Sequence, residues 1–206
     1  MSSQCKGVFL GDFVFVVPEQ VYEPAEDTFL LVRNLSTEKN STVLDMGTGC
    51  GILAVLAAER ASYVVAVDIN PHAVASTQRN AELNGVAAKI ETREGNLFEP
   101  IEPEEMYDLI TFNAPYLPVG PDEGEFWVEK AWCGGKDGRS VIDRFITESS
   151  KHLAENGRIL LVQSSLSNVE RTLALFAERT LSATVIESEK VAFEEIVLIQ
   201  ARLIPH

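Results

Sequence analysis

Cysteines, basic residues and long apolar runs are all scarce in this chain, and each shortage excludes a class of protein. The three cysteines are an odd number without Cys-x-x-Cys spacing, which argues against a disulfide framework and a zinc site. No apolar run is long enough to span a bilayer. The apolar stretch at residues 8–17 is broken by Gly11 and Asp12 and lacks the basic leader of a signal peptide. We therefore expect a cytoplasmic protein with reduced thiols, no metal and no membrane partner.

Basic residues are outnumbered by acidic ones. The chain has 17 Lys and Arg residues against 31 Asp and Glu residues, which gives a formal net charge of −14. Free-standing nucleic-acid binders usually show the opposite balance, because cationic side chains displace counterions from phosphates. The acidity keeps a protein soluble, and it also favours a protein partner with a basic surface near its target. We expect no direct binding to nucleic acid.

Strand-like apolar runs alternate with helical patterns, and the length of 206 residues fits one domain, 1–206. The predicted strands are residues 42–45, 63–68, 89–93, 107–112, 158–163, 183–189 and 194–203. The predicted helices are residues 26–34, 52–60, 71–84, 140–153 and 169–179. This alternation predicts an α/β fold with a mostly parallel, doubly wound, seven-stranded sheet. The last two strands leave no room for a crossover helix, so we expect a C-terminal antiparallel hairpin.

A glycine-rich turn follows the first predicted strand. Residues 43–51 read Val-Leu-Asp-Met-Gly-Thr-Gly-Cys-Gly. Gly47 and Gly49 permit a tight turn and a close approach of a ligand to the backbone, and the helix beyond begins with free N–H groups. Dinucleotide sites follow Gly-x-Gly-x-x-Gly, whereas here the glycines alternate and Asp45 leads them. The acid-led form resembles the first motif of S-adenosylmethionine methyltransferases.

The ends of the next two predicted strands complete a nucleoside site. Asp68 ends the second strand, where an acid accepts two hydrogen bonds from a ribose diol. The alternative for Asp68 is a helix cap ahead of Pro71, although Asn70 is better placed for that role. Asn96 and Leu97 follow the third strand, in the loop that lies beside the adenine in this fold. We predict that Asn96 bonds the adenine amine and that Leu97 covers the ring.

The fourth predicted strand ends in Asn113-Ala114-Pro115-Tyr116, at the carboxyl edge where such sheets bind ligands. The run resembles the Asn-Pro-Pro-Tyr motif of enzymes that methylate amide or exocyclic amino nitrogens, and Ala114 departs from it. An amide nitrogen is a poor nucleophile, so it must be held in line with the methyl carbon. We predict that the Asn113 side-chain oxygen, beside the cofactor, and the Ala114 carbonyl accept its two N–H groups. Pro115 and Tyr116 would wall the pocket, and no general base is required. The alternative is an ordinary Asn-x-Pro turn.

Two longer runs narrow the resemblance. Residues 21–31 read Val-Tyr-Glu-Pro-Ala-Glu-Asp-Thr-Phe-Leu-Leu. Residues 131–139 read Ala-Trp-Cys-Gly-Gly-Lys-Asp-Gly-Arg, and Ile-Asp-Arg-Phe continues them at 142–145. With the motifs above, these runs make the chain similar to the HemK-type protein-glutamine N5-methyltransferases. The resemblance is strongest to the short archaeal and eukaryotic branch, and it covers the chain from about residue 21 onwards.

The resemblance implies a Rossmann-like class I methyltransferase that uses S-adenosyl-L-methionine. Its implied substrate is the glutamine of the Gly-Gly-Gln motif in a class I translation termination (release) factor. It places Thr28 near the methionine end of the cofactor. It leaves open whether Glu26 and Asp27 act directly or only place acids in the first turn of a helix. It also implies a small zinc-binding activator subunit over an apolar sheet edge, which we predict to be the third strand, residues 87–92.

Two other functions fit parts of the pattern. An amino-nitrogen methyltransferase acting on DNA or RNA bases would use the same chemistry, with Tyr116 stacked on the base. A basic groove leading to Asn113 would favour this alternative, and the acidic composition counts against it. A non-catalytic cofactor-binding or scaffold subunit is supported only by Ala114.

Overall fold

The computed structural model describes residues 5–118 and 126–204, which form a small hairpin and a seven-stranded sheet with flanking helices. The strands are β1 (Cys5–Leu10), β2 (Phe13–Pro18), β3 (Thr42–Met46), β4 (Tyr63–Asp68), β5 (Ile90–Glu94), β6 (Tyr107–Asn113), β7 (Leu153–Ser164), β8 (Leu181–Lys190) and β9 (Glu195–Leu203). The α-helices are α1 (Glu26–Asn34), α2 (Ile52–Ala58), α3 (Pro71–Leu83), α4 (Trp127–Lys130), α5 (Ser140–Ser149) and α6 (Val169–Glu178). Short 3₁₀ turns lie at Ala87–Lys89, Ser150–His152 and Ser165–Ser167.

The large sheet has the strand order β5-β4-β3-β6-β7-β9-β8. The first five strands in this order are parallel, and β9 runs antiparallel between β7 and β8. The predicted parallel sheet with a C-terminal antiparallel hairpin is therefore confirmed. From β3 the chain builds outward to β4 and β5, and it then returns to place β6 on the other side of β3. This reversal of strand order creates a crevice at the carboxyl ends of β3 and β6.

The inner strands are buried on both faces, as the crossover helices of a parallel sheet require. The side chains of Val43, Leu44, Ile110 and Leu161 are almost wholly inaccessible to solvent. Helices α2 and α3 pack on the β3–β5 side, and α1 packs on β6 to β9. No α-helix among residues 5–118 and 126–204 has both the length and the apolar character needed to cross a bilayer.

The β1–β2 hairpin, which the sequence pattern did not predict, is joined to α3 by two asparagines. Asn80 Oδ1 accepts from the Val16 N–H at 2.9 Å, and Asn80 Nδ2 donates to the Val16 carbonyl at 3.1 Å. Asn84 makes the same pair of bonds to Val14, at 3.0 and 2.8 Å. Each side-chain amide thus replaces the peptide group of a neighbouring strand. Asn80 Nδ2 also donates to the Cys50 carbonyl at 2.8 Å, which links the hairpin to the turn after β3.

Two predicted boundaries near the middle of the chain are wrong. Helix α5 ends at Ser149 rather than at residue 153, and β7 begins at Leu153. The run Glu-Asn-Gly at residues 155–157 lies inside β7, where a turn was predicted. Gly157 serves close packing there, because a Cβ atom at this position would approach the Tyr107 carbonyl oxygen to 2.8 Å.

The prediction of an apolar third-strand edge is also wrong. Strand β5 does form an edge of the sheet, but it begins at Ile90, after a 3₁₀ turn, and it is mainly polar. Arg93 forms ion pairs with Glu91 and Glu105, each with an N–O distance of 2.7 Å. Charged side chains of this kind protect an edge strand from unwanted pairing.

Candidate active site

A cavity of about 350 Å³ opens at the crevice between β3 and β6. Its volume is within the range of small-molecule sites. The predicted site residues that line it are Thr28, Gly47, Gly49, Asp68, Asn96, Leu97, Asn113 and Pro115. Asp45, Ala114 and Tyr116 lie behind the wall, with 1%, 2% and 8% of their surface exposed. The sequence motifs therefore converge on one cavity, although three of their members support it from outside.

The turn after β3 needs its alternating glycines. Gly47, Gly49 and Gly51 have φ angles of 63°, 57° and 81°, in the left-handed region that other residues rarely adopt. A Cβ atom at Gly51 would also approach the Thr77 side chain to 2.8 Å. The turn consequently exposes its backbone to the cavity.

Asp45 stabilises this turn from the side away from the cavity. Its carboxylate accepts hydrogen bonds from the hydroxyls of Thr48, at 2.7 Å, and of Thr111 on β6, at 2.8 Å. Burial raises the pKa of Asp45 to about 6, against an ordinary value of 3.8. Asp45 thus connects the glycine turn to β6, and its geometry supports the cavity rather than reaching into it.

Asp68 lies on the cavity wall at the end of β4. Its oxygens accept the backbone N–H groups of Gly49 and Asn70, both at 2.9 Å. Burial raises the pKa of Asp68. The cap of α3 is Asn70, whose Oδ1 accepts from the His72 N–H at 2.9 Å, so the helix-cap alternative for Asp68 is wrong. Two lone pairs of the carboxylate remain for a ligand.

Leu97 and Asn96 form the adjacent part of the wall. Leu97 has a φ of 54°, a conformation that is uncommon for a leucine and is often found at functional sites. Within the described part of the chain, the hydrogen bonds of the Asn96 amide are long, at 3.3 Å to Glu99 and 3.4 Å to Arg144. A ligand with better geometry can therefore replace them.

Asn113 lines the cavity, and one end of its side-chain amide is held by Thr28. Asn113 Nδ2 donates to the Thr28 hydroxyl at 3.3 Å, whereas Oδ1 is buried and has no partner among the residues that the structure describes. A buried acceptor without a donor is costly, and such groups are rare in folded proteins. This oxygen therefore indicates a ligand that brings an N–H or O–H donor.

Tyr116 is fixed at both ends. Its hydroxyl donates to Asp27 Oδ2 at 3.1 Å, and its carbonyl accepts from the Ser167 hydroxyl at 2.6 Å. A Cβ atom at Gly138 would overlap the same carbonyl oxygen, which explains why this position of the 131–139 run is a glycine. Burial and the Asp27 carboxylate raise the pKa of Tyr116, so its hydroxyl acts as a donor rather than as a base.

Several lining residues were not predicted. Tyr22, Asn70, Trp127, Lys130 and Cys133 also face the cavity. Tyr22 and Cys133 belong to the two runs that carried the family resemblance, so that resemblance could have identified them as site residues. Helix α4, with Trp127 and Lys130, had no such signal. Lys130 is the only cation that lines the cavity within residues 5–118 and 126–204, so the described wall shows no basic groove.

The chain is similar to known methyltransferases. The model of the methyltransferase small domain matches residues 24–125. A Methanocaldococcus jannaschii protein, provisionally named protein N5-glutamine methyltransferase MJ0928, is 40% identical over 184 residues, covering 88% of this chain and 91% of that protein. Human methyltransferase HEMK2 is 35% identical over 188 residues, covering 85% and 86%.

A solved structure is similar over most of the chain. It is the E. cuniculi Mtq2–Trm112 complex, responsible for the methylation of the eRF1 translation termination factor. The TM-score is 0.71 and the sequence identity 26%, with coverage of 89% of this chain and 99% of the other.

The raised pKa of Asp45 predicts a pH-dependent stability. The folded protein holds the Asp45 proton more tightly than the unfolded chain, so this group's contribution falls as the pH rises from about 4 to about 6. The expected loss is about 2–3 kcal/mol. Asp45→Asn removes this titrating group. Denaturant unfolding at pH 4 to 7 should show the difference in stability between the two proteins shifting in favour of the variant as the pH rises. Parallel pH profiles for the two proteins would contradict the assignment.

Proposed function

This chain belongs to the protein-glutamine N5-methyltransferase family, and we propose that it methylates the Gly-Gly-Gln glutamine of a class I translation termination factor with S-adenosyl-L-methionine. The observation that carries the proposal is the buried Oδ1 of Asn113, a residue of the cavity lining, which has no partner among residues 5–118 and 126–204. The activities named for the M. jannaschii relative and for the E. cuniculi complex support it. We also propose that residues 1–206 act as one methyltransferase domain.

The cavity residues fit S-adenosyl-L-methionine, which supplies a methyl group on a positively charged sulfonium. The Asp68 carboxylate would accept from the ribose hydroxyls, and the glycine turn of Gly47 and Gly49 would contact the cofactor with its backbone. Asn96 would bond the adenine amine, and Leu97 would cover the ring. Among the residues that the structure describes, the lining offers the negative Asp68 and a single cation, which suits a cationic ligand better than a pyrophosphate. Asp45 would contribute by holding the turn.

Asn113, Pro115 and the backbone of Ala114, a residue otherwise buried behind the wall, fit an amide substrate. The nitrogen of a glutamine side chain has two N–H groups and a delocalised lone pair. Asn113 Oδ1 and the Ala114 carbonyl would accept one N–H each, which orients the nitrogen and stabilises the positive charge that develops on it. Pro115 would pack against the amide, and Tyr116 would support Pro115 from behind. After transfer the nitrogen releases one proton to water, so no side chain needs to act as a base.

Asn113→Ala tests the proposal directly. The substitution removes an acceptor that acts on the developing charge, so we expect the single-turnover rate to fall by about 10²–10³. Cofactor affinity should change much less, because Asp68 and the glycine turn are intact. The measurement uses labelled cofactor and a Gly-Gly-Gln termination factor, with the labelled residue mapped by mass spectrometry. If the wild-type enzyme labels a different residue of the termination factor, or if the variant reacts at the wild-type rate, the proposal is contradicted. Methylation of DNA or RNA would support the nucleic-acid alternative.

Asp68→Ala should weaken the binding of S-adenosyl-L-methionine at least about tenfold. It removes two hydrogen bonds to a charged acceptor, each worth about 1.5–3 kcal/mol. Calorimetry measures the affinity, and thermal melting confirms that the variant folds, since Asp68 also holds two backbone N–H groups. Glu94→Ala is the matched control, because Glu94 is an exposed acid at the end of the neighbouring strand. Equal affinity in the two variants would remove Asp68 from the site.

We further propose a small zinc-binding partner subunit on the β5 edge. The support is the family resemblance and the similarity to Mtq2, which was solved in a complex with Trm112. Because β5 is charged, its unpaired backbone groups, rather than an apolar surface, would provide the contact.

Adding such a subunit should raise methyl transfer and slow hydrogen exchange of the β5 amides. The other edge of the sheet, β8, is the internal control and should exchange as before. Full activity of the isolated chain, unchanged by the subunit, would contradict this part of the proposal.

A further inference from the structure

The orientation of the Asn113 amide decides whether this site can accept a substrate N–H. One side of a side-chain amide is an acceptor oxygen and the other is an NH₂ donor. If the amide were reversed, its NH₂ group would meet the NH₂ group of the substrate. A half-turn about one side-chain bond therefore changes an attractive contact into a repulsive one.

Thr28 determines which orientation is stable. Its hydroxyl lies 3.3 Å from Asn113 Nδ2 and 3.2 Å from Asp27 Oδ1. A hydroxyl has a single proton, and an ionised carboxylate can only accept. The Thr28 proton therefore goes to Asp27, which leaves lone pairs facing Asn113. Lone pairs favour the Nδ2 group as their neighbour and keep Oδ1 on the side of the amide away from Thr28.

Asp27 is held as an acceptor by three other donors. The Thr28 backbone N–H lies 2.5 Å from Oδ1, and the hydroxyls of Tyr22 and Tyr116 lie 3.2 and 3.1 Å from Oδ2. Asp27 and Thr28 are only 4% and 5% exposed, so water competes little for these bonds. The carboxylate thus has a fixed position and a fixed hydrogen-bond polarity.

We propose that Thr28, with its proton held by Asp27, is the positioning residue that turns the Asn113 oxygen toward the substrate amide. This inference rests on the proposed function. It gives the first turn of α1 a role in the transfer step that is distinct from cofactor contact and from the charge preference of a helix start.

Thr28→Val and Thr28→Ser form the matched test. Valine keeps the shape without the hydroxyl, and serine keeps the hydroxyl. We expect Thr28→Val to lower kcat by about tenfold to a hundredfold, less than the loss of about 10²–10³ expected for removing the Asn113 acceptor itself. The KM for the termination factor should change little, and Thr28→Ser should restore most of the rate. A wild-type kcat for Thr28→Val, or no recovery with serine, would overturn the proposal.

A double-mutant cycle separates positioning from an independent role of Thr28. If Thr28 acts through Asn113, adding Thr28→Val to Asn113→Ala should cost nothing further, whereas independent effects would multiply. Multiplying effects would overturn the positioning role while leaving the proposed function in place. An Asn113→Ala variant that is itself fully active would instead overturn the proposed function.

Asp27→Asn tests the source of the polarity, because it removes the negative charge that attracts the Thr28 proton. We expect kcat to fall, with cofactor affinity retained. Glu26→Gln is the control, since it removes the same charge from an exposed position in the same helical turn. Equal rates for these two variants would overturn the role of Asp27.

Discussion

The reversal of strand order beside β3 is the constraint on which the rest of the molecule depends. Strands β4 and β6 lie on opposite sides of β3. The loops that follow these strands therefore diverge and open a crevice at the carboxyl ends of the sheet. The glycine turn follows β3, and Asp68 and Asn113 are the last residues of β4 and β6. Residues far apart in the chain consequently line one cavity, and neither the hairpin nor the C-terminal strands need to contribute to its floor.

Buried acids then stabilise the loops that this arrangement brings together. Asp45 joins the glycine turn to β6 through two threonine hydroxyls, and Asp68 holds the backbone N–H groups at two loop ends. Asp27 joins the start of α1 to the substrate loop through Tyr116. Each carboxylate is matched by protein donors, which is the condition under which charged groups are tolerated inside a protein. These hydrogen bonds hold the loops in fixed positions, which favours a preorganised transition-state site.

Some features were predictable because they depend on short stretches of sequence. The alternation of strands and helices, and the missing crossover before the last strand, were enough for the topology. The hairpin was missed because the polar groups that dock it, on Asn80 and Asn84, belong to a helix far along the chain. The β5 edge was misjudged because residues 87–89 were counted in the strand, whereas they form a 3₁₀ turn and the strand itself is mainly polar. Gly157 was mistaken for a turn because close packing and turn formation favour the same residue.

The sequence by itself determined which strand-end residues meet at the site, because the carboxyl ends of parallel strands always meet at one edge of the sheet. That rule is sufficient to bring Gly47, Asp68 and Asn113 together. Only the tertiary structure decided which of the predicted residues face the cavity and which, like Asp45, support it from behind. It also decided the orientation of the Asn113 amide, since a side-chain amide takes its direction from its hydrogen-bond partners. Its partner Thr28 lies 85 positions away, and no local pattern in the sequence encodes their contact.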